Sequence, residues 1–289
     1  MYNRRRLKKF NLINGFILSL ICIVMIIPMW KVVVESLSAK EFIIANKVFM
    51  WPKGTNFQSY WVVLRDKAMI NAFKNSGFIT IFGTVLNLIM TTALAYPLSR
   101  PEFIYKKPLL LMVVITMIFS PPLIPMYLTV QFLGLDNTIW AVILPGVISG
   151  FNFFILRSFF ISTVPNEIID SARLDGCSEI NILIKIVVPI SKAAFATIAL
   201  FYAVDHWNSL FNPLIYLRDP KLQTIQLRLY QLVSVDRMDF SRDDMKNVNV
   251  TPSTLKMTSI MIATLPILMV YPFLQKYFVK GVMLGSVKD

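Results

Sequence analysis

The chain has 289 residues, of which 56% are hydrophobic and only 16% are charged, and its net charge is +13. A soluble domain carries about 25% charged residues, whereas the apolar residues of this chain are collected in long uncharged runs. The composition therefore excludes a soluble globular enzyme, a disordered chain and a fibrous protein, and it indicates a polytopic membrane protein.

The apolar runs predict the spanning helices in chain order. A span needs about 20 mostly apolar residues, and it must be helical because lipid offers the backbone no hydrogen-bond partner. We predict an all-α fold in one membrane domain, 1–289, with a kink at Pro121, Pro122 and Pro125 in the third span. The six predicted spans lie at about 11–34, 75–98, 108–133, 137–157, 189–214 and 256–277.

Basic residues next to the first span predict the orientation. That cluster consists of Arg4, Arg5, Arg6, Lys8 and Lys9. Because positive charge stays on the cytoplasmic side, both termini and the 161–188 connection are expected in the cytoplasm, and the long connections at about 36–74 and 218–255 outside. The net positive charge is then explained by anionic membrane lipid, and no nucleic-acid partner is expected.

The cytoplasmic connection at 161–188 predicts two short helices. Pro165 suits a first helical position, Gly176 is a left-handed terminator, and Ser178 can cap the second helix. Pro189 then marks the entry to the fifth span.

One face of the first short helix carries little side-chain bulk. Ala172 and Gly176 are four positions apart, so they share a face that another protein could approach closely. An ordinary cytoplasmic hairpin, or an amphipathic helix lying on the membrane, would explain the same periodicity.

The spacing within this connection carries a family resemblance. The chain reads Asp170-Ser171-Ala172, three residues, Gly176, nine residues, then Ile186-Val187-Val188-Pro189. This resembles the cytoplasmic motif of binding-protein-dependent ABC importer permeases, which is Glu-Ala-Ala, three residues, Gly, nine residues, then Ile-x-Leu-Pro. His206-Trp207-Asn208 resembles the fifth-span pattern of the carbohydrate-importing branch of these permeases. Tyr271-Pro272-Phe273 resembles permeases of complex-sugar importers that are paired with lipoprotein receptors.

The resemblance implies a multi-pass permease of the type I ABC importer, or MetI-like, fold in a bacterial cytoplasmic membrane. It implies a second homologous permease, usually a different chain, two ABC ATPase subunits that hold ATP and Mg²⁺, an extracytoplasmic sugar-binding lipoprotein and an oligosaccharide substrate. The chain itself is expected to be a transport subunit and not an enzyme, and to bind no cofactor or metal.

The resemblance also assigns 166–177 as the coupling helix that docks on an ATPase. None of the ten glycines lies in a phosphate-binding G-x-x-x-x-G-K-[ST] loop, so the energy must come from a partner. The candidate coupling residues are Glu167, Asp170, Ser171, Ala172, Asp175, Gly176 and Pro189.

Polar residues on the fifth span are candidates for a substrate path. Tyr202, Asp205, Asn208 and Asn212 are spaced by three, three and four positions, which places them along one stripe of a continuous helix. Such a stripe could hydrogen-bond sugar hydroxyls, or it could join helices within the bundle, and the sequence leaves both interpretations open. The candidates are Tyr202, Asp205, His206, Trp207, Asn208 and Asn212.

The charged outer loop is a third candidate site. The resemblance implies that this loop contacts the binding protein through Arg237, Asp239 and Arg242. Their charge alone would indicate only a solvated surface.

Two other classes of function are alternatives. A self-sufficient secondary carrier or channel stays open as an alternative, but Asp205 is the only acid deep in a span, which is little for proton coupling. A membrane-embedded enzyme is disfavoured because the chain has no H-E-x-x-H, no G-x-S-x-G and no pair of aspartates within the predicted spans.

Overall fold

Helices account for all the regular structure in the described part of the chain. A computed structural model describes residues 4–119, 121–234 and 250–286, with side chains described for 10–119, 121–234 and 250–270, and it contains no strand there. The all-α prediction is confirmed. Two compact units are formed, residues 1–69 with 229–265 and residues 70–228 with 266–289.

The helices follow the apolar runs of the sequence but are more often interrupted. Short 3₁₀ turns lie at Leu144–Gly146 and Pro220–Leu222, and a π turn lies at Leu183–Val187. The α-helices are α1 (Arg4–Ser36), α2 (Lys40–Ile44), α3 (Gln58–Arg65), α4 (Lys67–Ser99), α5 (Lys106–Ile118), α6 (Leu123–Phe132), α7 (Trp140–Ile143), α8 (Gly150–Thr163), α9 (Asn166–Leu174), α10 (Glu179–Ile182), α11 (Val188–Ile190), α12 (Lys192–Asn208), α13 (Phe211–Tyr216), α14 (Ile225–Ser234) and α15 (Pro252–Ser286).

Three of these helices are long and apolar enough to cross a membrane alone, namely α1, α4 and α15. Three further crossings are possible if each bent pair counts as one span, which gives up to six in the described residues. These pairs are α5 with α6, α7 with α8 at 52°, and the Glu179–Ile190 arm with α12 at 86°.

Proline explains where the third span is interrupted. Helix α5 ends at Ile118, and α6 begins at Leu123 directly after Pro122. Proline removes a backbone donor and disfavours helix in the residue before it. The break therefore falls at Pro121 and Pro122, whereas Pro125 lies in the first turn of α6 and does not interrupt it.

The fifth predicted span, 189–214, has different boundaries in the structure. The chain bends by 86° between Ile190 and Lys192, so Pro189 belongs to the preceding arm and not to the span. Helix α12 ends at Asn208, because Ser209 adopts an extended backbone, and α13 begins only at Phe211. The straight part of this span is therefore 17 residues long.

Hydroxyl groups join three helices in the first unit. The Ser36 and Tyr60 hydroxyl oxygens are 2.8 Å apart, and the Ser59 hydroxyl donates to the Ser36 carbonyl at 3.2 Å. The Thr258 hydroxyl in turn donates to the Ser59 oxygen at 3.0 Å. Such bonds join the end of α1 to α3 and α15 without exposing polar atoms to an apolar environment.

The core of the second unit extends beyond the long helices into the short ones. Leu98 at the end of α4 and Phe160 in α8 are fully buried in it. Ile169 of α9 and Ile182 of α10 belong to the same core and are 1% and 0% exposed. Helix α9 is therefore packed against the ends of the long helices and is not a free hairpin.

Candidate functional site

The end of α9 is a complete hydrogen-bonded turn. The backbone N–H of Gly176 donates to the Arg173 carbonyl, and that of Cys177 donates to the Ala172 carbonyl, both at 3.0 Å. Gly176 has a φ of +81°, so this is a Schellman turn built on a left-handed glycine. The predicted helix 166–177 therefore ends at Leu174, and Pro165 precedes its first residue instead of occupying it.

The exposed surface of α9 is acidic, and its tip is apolar. The side chains of Glu167, Asp170 and Asp175 are exposed, and Leu174 at the end of the helix is 90% exposed. A helix with this surface offers a partner an apolar contact surrounded by negative charge. Ser171, Gly176 and Pro189 are also exposed.

Ala172 does not lie on that surface. It is 8% exposed and packs in the core of the second unit together with Ile169. The predicted small exposed face is wrong in this respect, because the side of the helix that carries Ala172 is covered by the chain itself.

Arg173 connects α9 to three acidic side chains. Its Nε donates to Glu179 Oε1 at 2.7 Å, and its Nη1 lies 3.3 Å from Asp170 Oδ1 and 3.6 Å from Glu102 Oε1. The Tyr96 hydroxyl donates to the other oxygen of Glu179 at 2.9 Å. These contacts, which we call the Arg173 bridge, join α9 to α10, to the connection after α4 and to α4 itself.

The bridge stays ionised near neutral pH. The hydrogen bond from Arg173 lowers the pKa of the Glu179 carboxyl below its ordinary value of 4.5, and the same bond raises the pKa of Arg173. A carboxyl with a lowered pKa contributes its stabilisation above the ordinary pKa and loses it as the pH falls through the lowered value. The contact is therefore fully formed near neutral pH.

Two further arginines connect α4 and α8 in a reciprocal way. The Nε of Arg157 donates to the Leu98 carbonyl at 2.9 Å, and Arg100 Nη2 donates to the Phe160 carbonyl at 3.4 Å. Cations suit the C-terminal carbonyls of helices. Arg100 also donates to the Asn166 side chain at 3.3 Å, which fixes the first residue of α9.

Sequence reasoning missed this group of residues. No role is predicted from the sequence for Arg100, Arg173 or Glu179. A signal was available only for Arg100 and Arg157, which lie two places beyond the predicted span 75–98 and at the last residue of the predicted span 137–157.

The polar stripe of the fifth span is divided between buried and exposed residues. The Tyr202 hydroxyl lies 2.7 Å from the Thr91 hydroxyl and accepts a bond from the Ser149 N–H at 3.0 Å. His206 and Trp207 are 9% and 7% exposed. Tyr202 therefore matches the alternative in which polar residues join helices within the bundle, and His206 and Trp207 are too buried to line an open path.

The remaining residues of the stripe do not form a continuous row. Asp205 and Asn208 are exposed on α12, whereas Asn212 is half-buried on α13, beyond the break at Ser209. The predicted spacing of three, three and four assumed one uninterrupted helix, which the structure does not have. Arg237, Asp239 and Arg242, the predicted contacts to a binding protein, lie outside the described residues.

Comparisons with known proteins show what the chain is similar to. Residues 90–284 match the family described as binding-protein-dependent transport system inner membrane component. The chain is 39% identical over 281 residues to the polygalacturonan/rhamnogalacturonan transport system permease protein YtcP of Bacillus subtilis (strain 168), covering 96% of this chain and 97% of that protein.

Two solved structures resemble the fold. One is a chain from the crystal structure of a bacterial ABC transporter involved in the import of the acidic polysaccharide alginate, with a TM-score of 0.90, 27% identity and coverage of 96% and 99% of the two chains. The other comes from the bacterial alginate ABC transporter in complex with alginate pentasaccharide-bound periplasmic protein. It has a TM-score of 0.56 and 15% identity over 93% and 94% of the chains, and it supports the fold alone.

Proposed function

The chain belongs to the family of binding-protein-dependent transport system inner membrane components, and we propose on that premise that it forms half of the pore of an ATP-driven oligosaccharide importer. It is a membrane transport subunit and not an enzyme. The observation that carries the proposal is the match over nearly the full length of both chains to a chain of a bacterial ABC transporter involved in alginate import.

The proposed assembly contains a second homologous permease, two ATPase subunits and an extracytoplasmic sugar-binding lipoprotein. ATP and Mg²⁺ belong to the ATPase subunits. The acidic surface and exposed Leu174 tip of α9 support docking on an ATPase, because the helix is fixed to the long helices on its other side. Asp205 and Asn208 are exposed, and they are the proposed contacts with the sugar. The proposed location of the chain is the bacterial cytoplasmic membrane.

Affinity purification from native membranes followed by reconstitution tests the proposal. The purified complex should contain the ATPases and the second permease, and vesicles holding it should accumulate labelled oligosaccharide only with ATP and the binding protein present. Uptake by this chain alone, driven by an ion gradient, would instead establish the carrier alternative. Parallel assays with acidic and neutral oligosaccharides define the substrate class.

Cys177 provides a test of orientation. It is exposed one residue after Gly176, whereas Cys22 lies within the apolar run of α1. We expect a membrane-impermeant maleimide to label Cys177 in inside-out vesicles and not in intact cells, because the proposal places α9 in the cytoplasm. The Cys177→Ser variant is the control, and labelling of Cys177 from outside would contradict both the orientation and the coupling role.

Replacing Arg173 is expected to uncouple ATP hydrolysis from uptake. In Arg173→Gln the ion pairs with Glu179 and Glu102 are lost. A displacement of α9 should then no longer be transmitted to α10 and α4. The bridge residues are partly exposed, so the loss of stability should stay within about 1 kcal/mol. The measurement is the number of sugars imported per ATP hydrolysed by the reconstituted complex.

A charge reversal provides the control for this prediction. Arg173→Glu should behave like Arg173→Gln, and the double variant Arg173→Glu with Glu179→Arg should recover part of the coupling because it restores the ion pair. An unchanged ratio of sugar to ATP in all three variants would show that the bridge plays no part in coupling.

A further inference from the structure

An exposed apolar segment lies between two lysines in the connection after α1. The chain reads Lys47-Val48-Phe49-Met50-Trp51-Pro52-Lys53. Phe49, Met50 and Trp51 are 84%, 62% and 71% exposed. Three neighbouring large apolar side chains are rarely left in water when nothing covers them. We call Lys47–Lys53 the apolar loop.

The apolar loop has a fixed base. The Ala39 N–H donates to the Lys53 carbonyl at 3.0 Å, and the Lys53 N–H donates to the Ser38 hydroxyl at 3.3 Å. Gly54 follows with a φ of +61°, and a Cβ there would lie 2.9 Å from the Phe42 ring. The base is therefore a close turn that only glycine fits, and it holds the loop in one position.

Contacts with α1 hold the loop beside Trp30. The Trp30 indole N–H donates to the Met50 carbonyl at 2.8 Å, and the Trp30 and Trp51 rings meet edge to face at 5.9 Å. Trp30 is the last residue of the apolar run of α1, and Lys31 follows and pairs with Glu35. Met50 and Trp51 therefore lie beside the end of the uncharged run of α1, where Lys31 introduces the first charge after Trp30.

We propose that the apolar loop inserts into the lipid at the boundary between acyl chains and headgroups, on the membrane side that the charge pattern makes the outer one. Tryptophan is enriched at that boundary because its ring is apolar and its N–H is polar. Lys47 and Lys53, both exposed, would extend to lipid phosphates while their aliphatic stems follow the apolar side chains. The loop would thereby fix how deeply α1 sits in the bilayer.

Two features favour lipid over a protein partner, namely the apolar surface of α1 next to the loop and the positive charge of its two lysines. The side chains of α1 from Phe10 to Trp30 are exposed and almost entirely apolar, so the loop continues an apolar surface that already lies at membrane depth. The lysines on both sides match an anionic lipid surface. The proposal depends on the chain being a membrane component and not on which solute is transported.

Spin labelling at Phe49 tests the depth directly. Phe49→Cys, in a background carrying Cys22→Ser and Cys177→Ser, would be labelled with a nitroxide in the full complex, in vesicles that contain phosphatidylglycerol. We expect relaxation by oxygen, which concentrates in lipid, to be several-fold stronger relative to a water-soluble nickel complex than at the control position. The control is Ala45→Cys, an exposed site earlier in the same connection.

The possible outcomes separate lipid from the other occupants. Equal access of the nickel complex to positions 49 and 45 would overturn the proposal and make the loop solvated. Protection of position 49 from both reagents, or only after the binding protein is added, would also overturn it and indicate a protein partner. Met50→Cys repeats the measurement if Phe49→Cys fails to assemble.

Discussion

Gly176→Val is expected to abolish ATP-driven uptake while the chain still inserts in the membrane. Nothing lies within 4 Å of a Cβ built on Gly176, so the effect does not come from a clash. It comes from the backbone, because a φ of +81° costs an L-residue about 1–2 kcal/mol and more when the residue is β-branched. Relieving that strain would open the turn that presents Leu174 and Asp175.

Asparagine provides the matched variant for Gly176. Asn tolerates the left-handed region and has no β-branch, so Gly176→Asn should keep most of the uptake that Gly176→Val loses. The measurement is co-purification of the ATPases together with uptake by the reconstituted complex. Equal and normal uptake in both variants would contradict a coupling role for this turn.

Gly83→Leu is expected to give the largest loss of stability. A Cβ on Gly83 would lie 2.5 Å from Nε2 of His206 and 2.8 Å from its Cε1. The His206 ring is 9% exposed, so it has little room to move away. Overpacking of this kind costs about 1–3 kcal/mol. The close contact between α4 and α12 therefore requires glycine at position 83, because His206 occupies the space that a side chain there would need.

Gly77 provides the control because it lies in the same helix and has nothing within 4 Å of its Cβ position. The gain in helix propensity on replacing glycine is the same at both positions, so comparing Gly77→Leu with Gly83→Leu isolates the contact with His206. We expect the thermal unfolding midpoint of the purified protein to fall for Gly83→Leu and to hold for Gly77→Leu. Equal midpoints would show that His206 has room to move.

Local features of the coupling segment could be predicted from the sequence. The end of α9 at a left-handed Gly176 needed only the residue type, and the Ser178 cap, which accepts from the Asn181 N–H at 3.4 Å, needed only its neighbours. Both depend on interactions within a few positions of the chain. The apolar runs likewise identified the long helices, because bilayer thickness sets their length.

Features that depend on tertiary packing could not be predicted. Periodicity placed Ala172 on a face of α9, but it could not show that the chain covers that face itself. The stripe containing Tyr202 and Asn212 was drawn on a continuous helix, since nothing at Ser209 forbids one. The Arg173 bridge requires Glu102 and Glu179 to meet, and their positions in sequence give no sign of it.

The bend after Ile190 has a mechanical consequence. The arm Glu179–Ile190 meets α12 at 86°, and α10 at its far end is joined to α9 by the Arg173 bridge. Because this arm stands nearly at a right angle to α12, a sideways displacement of its far end would rotate α12 about its own axis. If an ATPase displaces α9 as proposed, we therefore expect Asp205 and Asn208 to turn with α12 into and out of the proposed substrate path.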